Sequence, residues 1–306
     1  EKKITEGNAG VYQCDATLIR HALKQLKSNN AQGEFYLTDI VEMAANEKGA
    51  LGICVADWKE VMGVNTRAQL ALVEATFRDR MIADLQNKGT TFLDPDNTFL
   101  DADVTVAKDV TLGVGVQIYG RTVIKAGARI DGPTYIKNCT IDSNSRIYSF
   151  SHLENAHVGK ETNVGPYARL RPGAHLELGS KVGNFVELKN SRLGKGAKAN
   201  HLAYVGDALV GPKSNIGAGT ITCNYDGMNK SKTILGADVF VGSNCTLVAP
   251  LEIGKGSYVA AGSTVTKKAP ADALVIGRAR QANREGYAAL LKERIRRRRE
   301  AKNKGN

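Results

Sequence analysis

The 306-residue sequence predicts a parallel β-helix that follows the closing part of an α/β domain. Between Leu100 and Thr266 an aliphatic residue recurs about every six residues, and a small or β-branched residue stands fifth in each unit. A short fixed period with one branched aliphatic residue per unit is typical of a solenoid, in which each coil buries its aliphatic side chains against the neighbouring coils. The segment before Leu100 alternates short apolar runs with helical patterns, which is typical of α/β domains.

The spacing of the aliphatic residues indicates three hexads per coil. The period shortens to five residues at four steps, and one long insertion runs from Thr222 to Leu235. With three hexads per coil, all five irregularities begin on one face, whereas a wrong coil length would scatter them. We call it face one, and its hexads open at Leu100, Ile118, Ile136, Leu153, Leu170, Leu188, Val205, Thr222, Leu247 and Val265. The repeat predicts about nine coils, or a prism about 45 Å tall.

The first segment contains two predicted strands and three predicted helices. The strands are residues 9–14 and 52–56. Asp15 is a plausible N-cap for a helix to Leu26, and Thr38 can cap a second helix to about Glu47. The clearest helical periodicity spans residues 66–88 and stops at a glycine.

These patterns predict three parts of the chain. Residues 1–97 form the end of an α/β domain, with residues 66–88 as a linker helix. Residues 98–280 form the β-helix, and residues 281–306 form a basic tail. Because the chain begins at Glu1 without Met, we expect a fragment or a processed chain.

Composition argues against membrane-spanning and secreted classes of protein. No apolar run approaches the roughly 20 residues that span a bilayer, and no signal peptide is visible. The five cysteines show no CxxC spacing, so we expect structural thiols in a reducing cytoplasm rather than disulfides or a zinc site.

The net charge of +11 is concentrated at the end of the chain. Between Lys292 and Lys304 eight Lys or Arg residues stand against two Glu residues, which gives 8 − 2 = +6. A solvated, partly helical end explains such a run, and binding to a polyanion such as a nucleic acid is the alternative. We expect no membrane partner, and a nucleic-acid partner is the less favoured of the two interpretations.

The coil register places two cations one above the other on face one. Arg171 and Lys189 both take the second position of their hexads, one coil apart, and the insertion brings Lys230 to the same edge. Stacked cations repel unless an anion lies between them, and phosphate suits Arg and Lys together. The alternative is that both cations are exposed and paired with acids such as Glu187.

A histidine lies near the same corner of the prism. His201 takes the third position of a face-three hexad, close to the corner that leads into face one. Imidazole titrates near neutrality, which suits a general base. The alternative is that this lone histidine is a surface residue or a hydrogen-bonded structural residue. The column through it holds small residues that would leave a groove, and it consists of Asn184, His201, Ala218, Ser243 and Ala261.

Four motifs give the sequence a family resemblance. They are residues 165–174 (GPYARLRPGA), 182–189 (VGNFVELK), 201–207 (HLAYVGD) and 215–227 (NIGAGTITCNYDG). With them the chain, from about Asn8 to Arg278, resembles bacterial bifunctional enzymes that acetylate glucosamine-1-phosphate and then uridylylate the product. The resemblance implies a left-handed prism, which departs from the usual right-handed crossover rule, and a homotrimer that binds acetyl-CoA between neighbouring prisms.

The resemblance also implies a role for each matching residue. His201 would be the base that takes a proton from the sugar amine as it attacks the acetyl thioester. The sugar-phosphate contacts would be Arg171, Lys189, Tyr204, Asn215 and Lys230. The acetyl-CoA contacts would be Ala218, Asn224, Tyr225, Ser243, Ala261 and Arg278.

Residues 1–97 resemble the end of the family's uridylyltransferase domain. Asn8 matches an asparagine that binds magnesium and the nucleotide sugar in the family. A nucleotide-binding domain of this type needs a glycine-rich turn that approaches the phosphates, and residues 1–97 contain none. We therefore expect acetyl transfer, and no uridylyl transfer, from these 306 residues.

Three other interpretations remain at this point. Cys223 could act as a nucleophile, although no basic partner is fixed beside it by sequence. Some left-handed prisms are carbonic anhydrases, which need three histidines on a metal, and His152 and His157 have a suggestive spacing. A non-catalytic trimeric scaffold is the third.

Overall fold

The structure, a computed structural model, describes residues 6–29, 32–47 and 49–303, without the side chain of residue 303. The chain forms two compact units, Glu1–Arg80 and Met81–Asn306. Within the described residues no helix combines the length and the apolar character needed to cross a membrane.

The first unit is built from short helices. They are α1 (Ala16–Ala22), α2 (Asp39–Glu47), a 3-10 helix (Trp58–Val61) and the first part of α3 (Arg67–Asn87). The Asp15 carboxylate accepts hydrogen bonds from the backbone N–H groups of Thr17 and Leu18, so the predicted N-cap is confirmed. Helix α1 ends four residues before the predicted Leu26, because the chain after it turns through tighter hydrogen bonds between residues three apart.

The two strands predicted in this unit are wrong. Residues 9–14 and 52–56 have no strand assignment, and within the described residues no backbone ladder joins them to a neighbour. A strand is stable only when its backbone groups pair with another strand. The apolar pattern of these segments therefore did not suffice to define strands.

Helix α3 follows the predicted linker helix within one residue at each end. Gly89 lies two residues after the end of α3, with φ +93°, and its N–H donates to the Gln86 carbonyl. This left-handed conformation is the ordinary way for a helix to end at glycine. Near the end of α3, Ile82 is buried in the same apolar core as Phe92, at the start of the β-helix.

The second unit is a parallel β-helix with three faces, as predicted, and it is consistent with the left-handed form. Among the described residues, face one has ten strands: Phe99–Leu100, Val116–Tyr119, Thr134–Lys137, His152–Glu154, Arg169–Leu170, Glu187–Lys189, Tyr204–Gly206, Ile221–Cys223, Thr246–Val248 and Thr264–Val265. Face two has nine in the same residues: Thr105–Val106, Val123–Ile124, Thr140–Ile141, His157–Val158, His175–Leu176, Arg192–Leu193, Ala208–Val210, Thr233–Leu235 and Leu251–Ile253.

Face three has eleven strands within the described part of the chain: Thr91–Phe92, Thr111–Leu112, Arg129–Ile130, Arg146–Ile147, Asn163–Val164, Lys181–Asn184, Lys198–His201, Asn215–Ile216, Phe240–Val241, Tyr258–Val259 and Leu274–Val275. The first and the last of these strands lie outside the repeat seen in the sequence. A basic helix, α4 (Tyr287–Asn303), follows the prism.

The observed register confirms the three-hexad coil. Leu153 pairs with both Ile136 and Leu170, and Leu170 pairs with Leu188, so the residues predicted to open face one stack on one another. The insertion also leaves and returns where expected, from a face-one strand to a face-two strand. The coils bury these aliphatic side chains, and the largest fully buried ones are leucines and isoleucines with less than 2% exposure.

The corner between face one and face two carries a ladder of asparagines. Asn138, Asn155 and Asn190 have φ between 46° and 51°, and Gly173 takes the same corner of its coil with φ +81°. Asparagine and glycine adopt this left-handed conformation at little cost. The next coil has Asp207 at this position, with φ 48°.

We predict that Leu176→Ala destabilises the prism. Leu176 is fully buried, and truncation of such a leucine costs about 2–5 kcal/mol through lost transfer energy and a residual cavity. Chemical denaturation followed by circular dichroism measures the change in the free energy of unfolding. Leu178→Ala is the matched control, because Leu178 is 36% exposed and a surface truncation costs about 0.5 kcal/mol. Equal destabilisation by the two changes would contradict the description of the core.

Candidate functional site

The predicted pair of cations lies on consecutive coils of face one. Because Leu170 pairs with Leu188, the residues that follow them, Arg171 and Lys189, are neighbours across the ladder. Arg171 donates a hydrogen bond to the Glu187 carboxylate at 2.9 Å, and Lys189 donates one to Asp207 at 3.2 Å. Each cation thus has a carboxylate partner. The pairing with acids, which was the alternative drawn from the sequence, is therefore observed.

The carboxylates hold these two side chains in their charged form. The pKa of Arg171 is raised, mainly by its hydrogen bond to Glu187. Partial burial lowers the pKa of Lys189, but the hydrogen bond and the charge of Asp207 act against burial, and the pKa is raised overall. The Tyr204 phenol, near both cations, acts in the same direction.

Lys230 brings a third positive charge to the pair. It lies in the inserted loop, where it forms an antiparallel bridge with Tyr225, and its side chain contacts that of Lys189. The contact with Lys189 is the main cause of a lowered pKa of Lys230, and the charge of Arg171 adds to it. Within the described residues no carboxylate forms an ion pair with Lys230. An anion placed here would relieve the repulsion between the ammonium groups.

Asp207 connects this cluster to the inserted loop, and the sequence analysis gave it no role. Its carboxylate, in a residue only 7% exposed, accepts hydrogen bonds from Lys189, from the Asn190 amide at 2.6 Å and from the Asn224 amide. Burial raises the pKa of Asp207, but these three donors outweigh it and hold that pKa below its ordinary value. The sequence signal that could have identified Asp207 is an acidic residue at a corner that three other coils fill with asparagine.

The two loop residues with implied acetyl-CoA roles differ in their surroundings. The Asn224 side chain is turned inward to Asp207, and the residue is 8% exposed. Tyr225 is 60% exposed, and its hydroxyl donates to the Gly227 carbonyl. The amide NH₂ of Asn224 is thus engaged inside the protein, and the Tyr225 ring is open to solvent.

His201 stands at the end of a face-three strand, next to the corner that leads into face one. It pairs with Asn184 across the ladder, and its Nδ1 lies 2.7 Å from the Asn184 Oδ1. Since the amide oxygen can only accept, Nδ1 carries the hydrogen, and in the neutral ring Nε2 then keeps its lone pair. The exposed side chain can therefore take a proton at Nε2.

The small residues predicted above His201 continue its column. Ile216 pairs with Val241, and Val241 pairs with Val259, so Ala218, Ser243 and Ala261, each two residues on, follow one another. Ser243 and Ala261 are exposed, and Ala218 is half-buried. Arg278 reaches the end of this column, because its Cδ lies 3.9 Å from the position that a Cβ on Gly262 would take.

The two remaining residues with implied sugar contacts, Tyr204 and Asn215, lie on different faces of the prism. Tyr204 begins the face-one strand three residues after His201, and its phenol covers Gly206, where a Cβ would lie 2.5 Å from the hydroxyl oxygen. The glycine therefore makes room for the tyrosine. Asn215 lies on face three, paired with Lys198 and Phe240, and within the described residues no hydrogen bond joins it to the cations.

Asn8, matched by resemblance to a magnesium-binding asparagine, belongs to the first unit. Its amide nitrogen donates to the Tyr12 hydroxyl at 2.6 Å, and its Oδ1 accepts from the Gly10 N–H at 2.9 Å. Magnesium requires several oxygen ligands, usually with carboxylates among them. Within the described residues no group of three or more His, Cys, Asp or Glu side chains could hold a metal. The described residues therefore do not form a magnesium site.

The histidines considered for a carbonic anhydrase lie on different faces. His152, on face one, stacks on Tyr135 with ring centroids 4.5 Å apart. His157, on face two, contacts Asp142 at 3.0 Å and His175 at 3.1 Å. The cysteines, all free, add no metal group in the part of the chain that is described. Within the described residues of a single chain, neither histidine therefore belongs to a group of three metal ligands.

The chain is similar in sequence to a family of transferases and to a group of longer proteins. Residues 232–267 match the family described as bacterial transferase hexapeptide (six repeats). The protein named bifunctional protein GlmU of Pseudoalteromonas atlantica is 46% identical over 288 residues, which cover 94% of this chain and 64% of that protein. The one from Stutzerimonas stutzeri is 46% identical over 298 residues, covering 96% and 65%. Over the residues it spans, the chain belongs to the GlmU family.

The family resemblance seen in the sequence is therefore confirmed, and the chain spans less than two thirds of the length of these relatives. Among solved structures, an Arabidopsis UDP-N-acetylglucosamine acyltransferase shares 11% identity, with 62% of this chain and 70% of that chain covered and a TM-score of 0.36. That similarity is too low to support an argument about function.

We predict that the cation cluster binds inorganic phosphate and that the affinity falls as the pH rises. Lys230 binds phosphate in its charged form, which exists below its lowered pKa and is lost as the pH rises through it. Titration calorimetry at increasing pH, up to about 10.4, the ordinary pKa of lysine, measures this loss of affinity. Arg171 and Lys189 keep their charge to higher pH, so part of the affinity remains.

Lys230→Met tests this assignment. It should weaken phosphate binding about fivefold at pH 8, a magnitude typical of exposed ion pairs, and it should flatten the pH dependence. Lys232→Met, an exposed lysine of the same loop, is the matched control and should leave both unchanged. An unaltered pH dependence in Lys230→Met would show that another group titrates.

Proposed function

We propose that this chain transfers the acetyl group of acetyl-CoA to the amine of glucosamine-1-phosphate and so produces N-acetylglucosamine-1-phosphate. The observation that carries the proposal is the cluster of three cations, Arg171, Lys189 and Lys230, around the corner from an exposed histidine. The cluster supplies a phosphate site, and the histidine supplies a base. Family membership supports the same reaction.

In the proposed reaction the amine nitrogen attacks the thioester carbonyl, the new C–N bond forms, and the C–S bond breaks. The amine must lose a proton as it attacks, and His201 accepts it at Nε2. The imidazolium then returns the proton to the departing thiolate, which leaves as CoA–SH. Asn184 contributes by fixing the ring through the Nδ1 hydrogen bond. No acyl-enzyme is required.

The substrates would lie on opposite sides of His201. The sugar phosphate would contact the three cations with Tyr204 beside them, and Asn215 would complete the sugar site. Acetyl-CoA would follow the column of Ala218, Ser243 and Ala261 towards Arg278, whose charge suits a phosphate of the coenzyme. Tyr225 would line this groove with its ring. Asn224 would contribute its position in the loop, because its amide NH₂ is engaged by Asp207.

We further propose a homotrimer with the reaction at the boundary between protomers. The corner that leads from face three into face one carries an exposed apolar ladder, in which Phe150 stacks on Tyr167 at 4.9 Å and Tyr167 on Phe185 at 5.3 Å. Leu202, next to His201, continues it with 60% exposure. Exposed apolar surface of this extent is typical of subunit contacts, and a contact here would enclose the histidine.

In the longer relatives we propose that a uridylyltransferase domain converts the product with UTP and magnesium to UDP-N-acetylglucosamine. Residues 1–97 correspond to the end of that domain in the proposal. They hold no magnesium site of their own among the described residues. No step of uridylyl transfer is therefore assigned to a residue of this chain.

A free-thiol assay tests the acetyl transfer. The protein should release CoA–SH from acetyl-CoA with glucosamine-1-phosphate, and much more slowly with unphosphorylated glucosamine, because the cation cluster then has no ligand. Similar rates with both sugars would refute the phosphate site. No release with either would refute the reaction.

We predict that His201→Ala lowers the rate of thiol release by a factor of about 10² to 10⁴, the usual contribution of a general base. The side chain is exposed, so folding measured by circular dichroism should not change. A non-catalytic scaffold predicts instead that no activity depends on His201. His21→Ala, in the first unit, controls for histidine removal and should retain full activity.

We predict that Cys223→Ser retains the parental rate within about twofold. The thiol is half-buried, and within the described residues it forms no hydrogen bond or ion pair with a basic side chain that would activate it. Mass spectrometry of acid-quenched reactions should find no acetylated protein. A loss of about 100-fold in Cys223→Ser, together with an acetylated intermediate, would point to covalent catalysis.

A further inference from the structure

Asp207 is a buried carboxylate at the point where the cation cluster meets the inserted loop. Below it, Asn190 donates a hydrogen bond at 2.6 Å, and above it Asn224, the second residue of the loop segment that begins at Cys223, donates another. Lys189 donates the third at 3.2 Å. One carboxylate thus ties a proposed phosphate ligand to the loop proposed to contact acetyl-CoA.

The turn itself does not require a carboxylate. Asn138, Asn155 and Asn190 make the same corner with nearly the same φ as Asp207, and Gly173 makes it without any side chain. Burial of a negative charge is unfavourable unless it is paired. The charge at position 207 therefore needs an explanation beyond the corner, and its contacts with Lys189 and Asn224 provide one.

We propose that Asp207 is a positioning residue that holds Lys189 and the inserted loop in one arrangement, so that the phosphate site and the acetyl-CoA site form together. This inference rests on the proposed function and adds to it a link between the two substrate sites. Lysine is a flexible side chain whose rotamers must be restricted before it can bind. The carboxylate restricts Lys189 on one side and fixes the start of the loop that carries Lys230 on the other.

Asp207→Asn is the direct test, because it removes the charge and leaves an asparagine at the corner, which the coils of Asn138, Asn155 and Asn190 already tolerate. We expect the KM for glucosamine-1-phosphate and the KM for acetyl-CoA each to rise about tenfold, in the range of a lost charged hydrogen bond. The kcat should stay within about threefold, and the melting temperature should be unchanged.

The sign of the effect is informative. Removal of a negative charge beside three cations would by simple attraction strengthen phosphate binding, so a rise in the KM for the sugar phosphate can come only from lost positioning. A fall in that KM, an unchanged pair of KM values, or a loss confined to kcat would overturn the proposal. Asp238→Asn is the matched control, since Asp238 has the same left-handed conformation but is exposed at another corner.

A second variant tests the hydrogen bond between Asp207 and the coil below it. Asn190→Gly removes one donor to Asp207 and should fold, because Gly173 makes the equivalent corner one coil earlier. We expect both KM values to rise by a smaller factor than in Asp207→Asn. If Asn190→Gly moves neither KM value, Asp207 is not held as proposed, and this result stands even if Asp207→Asn does not fold.

Binding measurements separate this inference from the proposed reaction. Titration calorimetry with inorganic phosphate and, separately, with acetyl-CoA gives Kd values for the parent and for each variant without any turnover. An inactive parent would refute the proposed reaction. The two Kd values would still decide about Asp207, because they should both rise in Asp207→Asn if the residue links the sites and stay unchanged if it does not.

Discussion

The stacking of inward-facing aliphatic side chains is the constraint on which the rest of the second unit depends. The coils contribute one buried residue per face, aliphatic except for Thr222 on face one, and each is covered by the coils above and below it. A shift of one residue would turn the aliphatic side chains outward. The register is therefore fixed, and it fixes the outward columns as well.

The columns explain how residues far apart in sequence form one site. Arg171 and Lys189 are neighbours because Leu170 and Leu188 pair beneath them. His201 stands above Asn184 for the same reason. The insertion interrupts the period without disturbing this order, since it leaves after one strand and returns at the next face. Its main attachment is polar, through Asn224 to Asp207, and this lets a loop with no aliphatic column of its own keep a defined position.

The charges of the site are only partly balanced within the protein before any ligand binds. Glu187 and Asp207 each hold one cation, and Lys230 is left beside Lys189 with a lowered pKa. The cluster thus keeps a positive charge that an anion can neutralise. Each carboxylate also restricts the cation that it holds, which prepares the site for a ligand with several oxygen acceptors.

The sequence by itself determined the coil length, the residues of face one, the stacked cations, the column of His201 and the end of α3 at Gly89. These features follow from a strict local period or from the conformational freedom of a single residue. The strands predicted at residues 9–14 and 52–56 are not formed, because a strand depends on a pairing partner that sequence periodicity does not reveal. Only the tertiary structure decided which acid pairs with which cation, the inward turn of Asn224, and the burial of Asp207. Such side-chain hydrogen bonds depend on distances between three coils and a loop, and no local pattern encodes those distances.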